Sequence, residues 1–257
     1  MTAPLDVHHR VEGRTDGPVL VLSNSLATTL AMWDPQMPAL AERFRLVRYD
    51  LRGHGGSPVP PGPFQLADLG ADLVALLDRL GISRAHLCGV SLGGMAAMWV
   101  AANAPQRVGR LILCSTATRI GTRESWAQRS AAVRDGGMAS IADTLLGIWF
   151  TREYRSTDPA GFERMRAMLL STDADVYAAC GDTLGRTDLR PLLASIRAPT
   201  LVVAGSEDPS TPPEEAYAIT EGIRDCRVTV IPGAAHLANM ERPAEVSRAI
   251  LSHTLDN

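Results

Sequence analysis

The spacing of apolar residues changes period several times along the chain, and each change marks an element. Val19-Leu20-Val21-Leu22 followed by Ser23 is a continuous β-rich run, the pattern of a strand covered on both faces. Similar runs at 44–49, 85–88, 108–114, 199–205 and 228–231 predict further buried strands, and the looser alternation over 5–12 predicts an edge strand. Helical spacing lies between them. Leu66, Leu69, Leu73, Leu76, Leu77 and Leu80 form one helical face closed by Gly81, and Met95, Ala96, Met98, Trp99 and Ala102 form another. Helical stretches are also expected around Trp33 to Ala41, from near Pro212, and over Pro243 to Leu251. Strand and helix alternate from residue 19 onward, so the expectation is an α/β fold with a mainly parallel sheet and helices on both faces.

Between about 118 and 190 the strand signal disappears. Helical pieces follow one another at 123–134, stopped by Gly136-Gly137, at 138–150, at 159–170, opened by Asp158 with Pro159 in the first turn, and at 173–184. This divides the chain into a core of residues 1–117 and 191–257 and a helical cap of residues 118–190. The cap holds Trp126, Trp149, Phe150, Tyr154 and Phe162, which either roof a pocket or hold the cap onto the sheet.

Composition narrows the chemistry. A chain of 257 residues suits one large domain or one domain with an insertion, and a net charge of −3 argues against a nucleic-acid partner. No apolar run is long enough to cross a bilayer, and no signal peptide is visible, so a cytoplasmic protein without a membrane partner is expected. All 25 basic residues are arginine, which removes Schiff-base chemistry and P-loop or kinase-type phosphoryl transfer. The six histidines are scattered, with no Cys/His cluster to hold a metal, and the His8-His9 pair reads as surface. Cys88, Cys114, Cys180 and Cys226 form no CxxC pair and read as free, buried thiols.

Candidate chemistry centres on Cys88-Gly89-Val90-Ser91-Leu92-Gly93-Gly94, a serine between two glycines with an apolar run before it and an apolar helix after it. That context reads as a nucleophile elbow, in which the serine sits on a strained strand-to-helix turn. The bare GxSxG pattern equally describes a glycine-rich turn without chemistry. A serine hydroxyl needs an imidazole to take its proton and a carboxylate to hold the imidazole tautomer. His236 lies just past the last strand and Glu207-Asp208 just past the strand before it, giving the chain order serine, acid, histidine. The oxyanion requires two backbone donors, one of them Leu92 and the other from the loop Asn24–Thr29. In Asp50-Leu51-Arg52-Gly53-His54-Gly55-Gly56-Ser57, His54 is a conceivable base, but the dense glycine and charges describe a tight turn held by side-chain bonds.

The stretches VLSNSLATTLAMWDPQ, RYDLRGHGGS, CGVSLGGM, GIWF, YAACGDTLGRTDLR, PTLVVAGSEDPSTPPE and GAAHLANMERP together resemble the 3-oxoadipate enol-lactonase family and span nearly the whole chain. The resemblance implies the α/β-hydrolase fold, with a mostly parallel eight-stranded sheet and a helical cap. It implies Ser91, Asp208 and His236 as the catalytic residues, Asp208 being preferred to Glu207, and Leu26 as the second oxyanion donor beside Leu92. Ala27 stands where the family usually has glycine. The implied reaction is opening of a small anionic lactone by water to 3-oxoadipate, with no cofactor and no metal. With no lysine in the chain, the substrate carboxylate would meet a cap arginine (Arg129 is one of ten) or a protonated histidine, or else backbone amides, the indole of Trp126 or Trp149, or the hydroxyls of Ser25 and Thr28 with water. A carboxylesterase, a carbon-carbon bond hydrolase or a perhydrolase would share the triad. A non-catalytic relative would normally have lost a member, and an epoxide hydrolase or haloalkane dehalogenase would place aspartate at position 91.

Overall fold

The computed structural model describes residues 2–60 and 62–255, so Met1, Pro61, Asp256 and Asn257, which the expected core spans, lie outside the described residues. Seven strands build one sheet in the order β1-β3-β2-β4-β5-β6-β7: β1 (His9–Gly13), β2 (Val19–Ser23), β3 (Arg45–Tyr49), β4 (Ala85–Val90), β5 (Val108–Cys114), β6 (Thr200–Gly205) and β7 (Cys226–Ile231). Only β1 runs antiparallel, against β3, and the other neighbours are parallel.

The expected eighth strand is absent among the described residues. The edge strand expected over 5–12 is shortened at its start, because side chains take the backbone donors ahead of β1. Leu5 N–H bonds the Asp72 carboxylate at 2.7 Å, His8 N–H bonds Ser57 Oγ at 2.9 Å, and Thr2 N–H bonds Asp68. Those donors are unavailable for a ladder, so pairing begins only at His9.

Eleven α-helical segments occur among the described residues: α1 (Met37–Leu40), α2 (Leu66–Arg79), α3 (Leu92–Asn103), α4 (Arg123–Gly136), α5 (Ala142–Trp149), α6 (Arg152–Thr157), α7 (Pro159–Leu170), α8 (Ala174–Leu184), α9 (Pro213–Gly222), α10 (Ala238–Glu241) and α11 (Pro243–Leu255). Helix α2 shows the logic of the sequence pattern. Its leucines at 66, 69, 73, 76 and 77 are buried, and Gln65 with Asp68 forms a capping box at its start. Each such leucine taken from water stabilises the fold by roughly 1.5–3 kcal/mol.

Helices α4 to α8 all lie between β5 and β6, which are themselves adjacent in the sheet. The expected helix over 138–150 divides into a 3-10 turn at Met138–Ser140 and α5, and α6 was not foreseen from the pattern. Asp158 caps α7 as expected, accepting from Gly161 N–H at 2.8 Å. The stretch around Trp33 is a 3-10 helix with Pro35 inside it, since proline lacks the N–H an α-helical turn would use. Cys226 is a correction as well. It lies on edge strand β7 and is only half-buried, whereas Cys88, Cys114 and Cys180 are buried. No helix among the described residues is long and apolar enough to cross a membrane.

Candidate active site

Strand β4 runs directly into α3 through Ser91, whose φ of 54° and ψ of −117° lie outside the usual regions for an L-residue. The flanking glycines make this turn possible. A Cβ on Gly89 would sit 2.6 Å from Gly94 N, and one on Gly93 would sit 2.6 Å from the carbonyl oxygens of Ser23 and Asn24. The serine backbone is tied on both sides: its N–H donates to Cys114 O at 3.0 Å and its carbonyl accepts from Thr116 Oγ1 at 2.8 Å. Strain held by surrounding bonds is a recurring mark of functional positions.

Beyond β6, the chain turns so that Asp208 is buried and Glu207 is exposed. Asp208 Oδ1 accepts from Ser210 N–H at 2.8 Å and Thr211 N–H at 3.0 Å, while Oδ2 accepts from Thr211 Oγ1 at 2.7 Å. His236 Nδ1 lies 2.8 Å from the same Oδ2. Burial by itself would raise the Asp208 carboxyl, but His236 and Thr211 together hold it below its ordinary value. An ionised Asp208 accepts a hydrogen bond from His236 Nδ1–H, which leaves Nε2 as the ring's basic nitrogen.

Ser91 and His236 line one cavity with Ser25, Leu26, Trp126 and Trp149. Six of the eight expected site residues therefore meet there. Asp208 stands behind His236, and Leu92 is buried beside Ser91 as the first residue of α3, where helix N–H groups have no intrahelical acceptor. The space amounts to about 390 Å³ including open solvent at its mouth. Apolar walls come from Ile120, Leu145, Ile148 and Leu184.

Two expected donors are already committed. Trp126 Nε1 donates to Ile120 O at 2.5 Å, so the ring lines the cavity but its N–H is used internally. Thr28 Oγ1 donates to Ser25 O at 2.8 Å, which removes that hydroxyl from the list of ligands. Two polar lining residues, Tyr177 and Ser210, escaped the sequence reading, and Arg129 stood in it only as one of ten cap arginines. Arg129 is the one arginine among the described lining residues, with its guanidinium 4.7 Å from the Trp126 ring centroid. Its three-residue spacing from Trp126 on α4 was the available signal, because residues at i and i+3 share a helix face. Burial pushes the Tyr177 hydroxyl up to about 12, with the neighbouring Arg129 charge opposing. Among the described residues no cluster of His, Cys, Asp or Glu is arranged to hold a metal ion.

The α4–α8 segment grips the histidine loop directly. His236 N–H donates to Ile148 O at 3.4 Å and Leu237 N–H to Trp149 O at 3.0 Å. Glu241 bridges the two parts, accepting from Thr151 N–H at 2.6 Å, Thr151 Oγ1 at 2.9 Å and Ala235 N–H.

Compared with known proteins, residues 18–243 match the family described as alpha/beta hydrolase fold. The chain is 37% identical over 238 residues to 3-oxoadipate enol-lactonase 2 of Acinetobacter baylyi, an alignment covering 93% of this chain and 89% of that protein. Among solved structures, the enol-lactonase from Burkholderia xenovorans LB400 superposes with a TM-score of 0.94 at 36% identity, covering 97% of each chain. A hydrolase from Pseudomonas aeruginosa PA01 superposes with a TM-score of 0.92 at 44% identity, covering 96% of this chain and 93% of the other.

Proposed function

Because this chain belongs to the alpha/beta hydrolase fold family, we propose that it hydrolyses 3-oxoadipate enol-lactone to 3-oxoadipate by serine catalysis, without a cofactor. The observation that carries this reading is one cavity lined by Ser91 and His236, with Asp208 buried behind the histidine and hydrogen-bonded to it. In this account Ser91 Oγ attacks the lactone carbonyl carbon while His236 Nε2 takes the hydroxyl proton. Asp208 keeps the proton of Nδ1 in place and stabilises the imidazolium. The N–H groups of Leu26 and Leu92 receive the oxyanion. Collapse of the tetrahedral intermediate breaks the ring C–O bond, and the departing enol oxygen takes the proton from His236. The enol settles as the ketone on the acyl chain still attached to Ser91. Water then attacks the remaining acyl carbon while giving its proton to His236, the Ser91 Oγ–C bond breaks as His236 returns that proton to Oγ, and the second carboxylate leaves with the free serine restored.

The substrate's free carboxylate needs a partner, since burying it unpaired would cost several kcal/mol. Arg129 supplies the charge, and Ser25 and the Trp149 indole add neutral donors in the same cavity. The helical segment α4–α8 acts as the cap, contributing Arg129, Trp126 and Trp149 to the pocket. The 1–117 and 191–257 core then supplies the chemistry and the 118–190 cap the anion recognition. The protein would work as a carboxylic-ester hydrolase in the cytoplasmic breakdown of aromatic compounds.

Turnover of the enol-lactone tests the reading against its methyl ester on the side carboxylate. Esterification should lower kcat/KM at least tenfold, about 1.4 kcal/mol, and Arg129→Met should narrow that gap. Equal kcat/KM for acid and ester would move the assignment to a general carboxylesterase. Ser91→Ala should lower kcat by about 10⁴ or more with the fold intact. Undiminished turnover in that variant would remove the serine mechanism altogether.

A further inference from the structure

His54 is buried and does not line the cavity, so it is not placed to act as a base on substrate. Its two ring nitrogens are nevertheless both engaged. Nδ1 lies 3.0 Å from Arg52 O, and a carbonyl only accepts, so Nδ1 carries the proton. Nε2 accepts from Ala27 N–H at 3.0 Å, and a backbone N–H only donates, so Nε2 is bare. Only the neutral, Nδ1-protonated imidazole satisfies both contacts. Burial pulls this histidine below its ordinary value, with the Arg52 carbonyl and the Asp50 charge opposing, which agrees with that state.

The residue it holds is adjacent to Leu26 in the loop after β2. Thr28 binds the Ser25 carbonyl, through N–H at 3.3 Å and Oγ1 at 2.8 Å. Across a trans peptide the Leu26 N–H points opposite to that carbonyl. The following peptide, Leu26–Ala27, is held through Ala27 N–H by His54, and Ala27 itself sits at a φ of 60°. Leu26 is thus clamped by one partner on each side of its Cα. The loop after β3 grips the oxyanion loop a second time, since Asp50 Oδ1 accepts from Leu30 N–H at 2.6 Å. Asp50 is in turn held by His8 Nδ1 at 2.7 Å and Gly56 N–H at 3.0 Å.

We infer that His54 is a positioning residue for transition-state stabilisation: as an obligatory hydrogen-bond acceptor it fixes the Leu26–Ala27 peptide, and with it the direction of the Leu26 N–H toward the oxyanion. This rests on the reading of Leu26 as an oxyanion donor. A residue that merely fills the core would affect stability and binding of all ligands alike. A residue that aims an oxyanion donor affects the tetrahedral state selectively.

The test compares His54→Phe, which keeps a ring but has no acceptor, with His54→Gln, which retains an acceptor oxygen. Removing one oxyanion donor outright costs roughly 10²–10³ in kcat, so a displaced one should cost on the order of 10–100-fold. The expected result for folded His54→Phe is that loss in kcat, KM within about twofold, and a parallel loss of affinity for a small boronic acid that forms the tetrahedral adduct on Ser91. Affinity for 3-oxoadipate should be unchanged, and His54→Gln should recover most of the rate. Unchanged kcat in folded His54→Phe, or equal losses for boronate and product, would overturn the inference. If His54→Phe does not fold, ring-nitrogen NMR of the unsubstituted protein decides. A neutral Nδ1-protonated ring between pH 6 and 8 supports the assignment, and an Nε2-protonated or cationic ring overturns it. Running the same variants on a simple p-nitrophenyl ester separates this inference from the substrate reading. A His54-dependent kcat on that ester stands even if the enol-lactone is not turned over.

Discussion

Asp208 and Glu207 are adjacent, chemically alike and both beyond the end of β6, yet only Asp208 reaches His236, at 2.8 Å. Replacing each by its amide removes the charge and leaves the size nearly unchanged. Asp208→Asn should lower kcat by about 10⁴, the scale seen when a buried triad aspartate is neutralised, and Glu207→Gln should stay within about threefold of the unsubstituted protein. A severe Glu207→Gln would mean that the loop turns differently in solution. Ala27 poses a second question at this scale, because its φ of 60° is costly for an L-residue and its side chain is fully buried. Relief of about 1–2 kcal/mol on Ala27→Gly is set against about 0.5–1 kcal/mol of added chain entropy and about 0.8 kcal/mol of lost methyl burial. The three nearly cancel, so denaturant unfolding of Ala27→Gly should show a stability change within about 1 kcal/mol. A loss above about 2 kcal/mol would show that the methyl packing dominates.

Among the elements, the junction of α5, α6 and α10 joins pocket wall to histidine loop. Glu241 on α10 accepts three hydrogens, two from Thr151 at the start of α6 and one from Ala235 beside His236. Burial pushes its carboxyl above the ordinary value, while those donors and Arg242 pull it back. An amide has one acceptor oxygen, so Glu241→Gln must set an N–H against either Ala235 or Thr151. The expected cost is about 1–3 kcal/mol of stability, the penalty for leaving a buried donor unpaired, with a fall in kcat because His236 is carried by the same loop. Thermal unfolding and steady-state kinetics on one preparation check both. A loss of stability with kcat unchanged would show that the clasp holds the cap without positioning the histidine.

For the whole molecule, three histidines are kept neutral by their surroundings. Burial is the leading cause at His54, at His86, whose value falls to about 4, and at His253. Neighbouring arginines add to the effect at His86 and His253. The folded values lie below the ordinary 6.5, so between these values the unfolded chain binds protons that the folded chain refuses. Stability is therefore full above about pH 6.5 and declines as pH falls toward the folded values, with a slope of about 1.4 kcal/mol per pH unit for each proton in the difference, and less for half-buried His86. Asp208 and Asp68, both held low, add to the loss below the ordinary carboxylate range, and the raised Glu241 opposes it. Urea midpoints at pH 7.5, 6.0 and 5.0 should fall in that order, and His86→Gln should flatten the trend. A constant midpoint over this range would contradict the buried neutral histidines.

The seven strand positions along the chain, the strand-turn-helix around Ser91 and the placement of His236 after the last strand were all determined by the sequence alone. Apolar period, glycine and proline act within a few residues, so the local chain carries them. What only the tertiary structure decided depends on partners far apart along the chain. Arg129 is singled out from the cap arginines because α4 turns that face toward a cavity shared with Ser91. Trp126 loses its role as an indole donor because Ile120 O takes its hydrogen. Strand β1 begins only at His9 because side chains of α2 and the loop after β3 take the earlier backbone donors. His54 reads in sequence as part of a glycine-rich turn, and that turn is real. Its second contact reaches Ala27, 27 residues earlier, and Glu241 reaches Thr151 across 90 residues. No local periodicity encodes such pairs, because each exists only once the sheet has brought separate loops to the same edge.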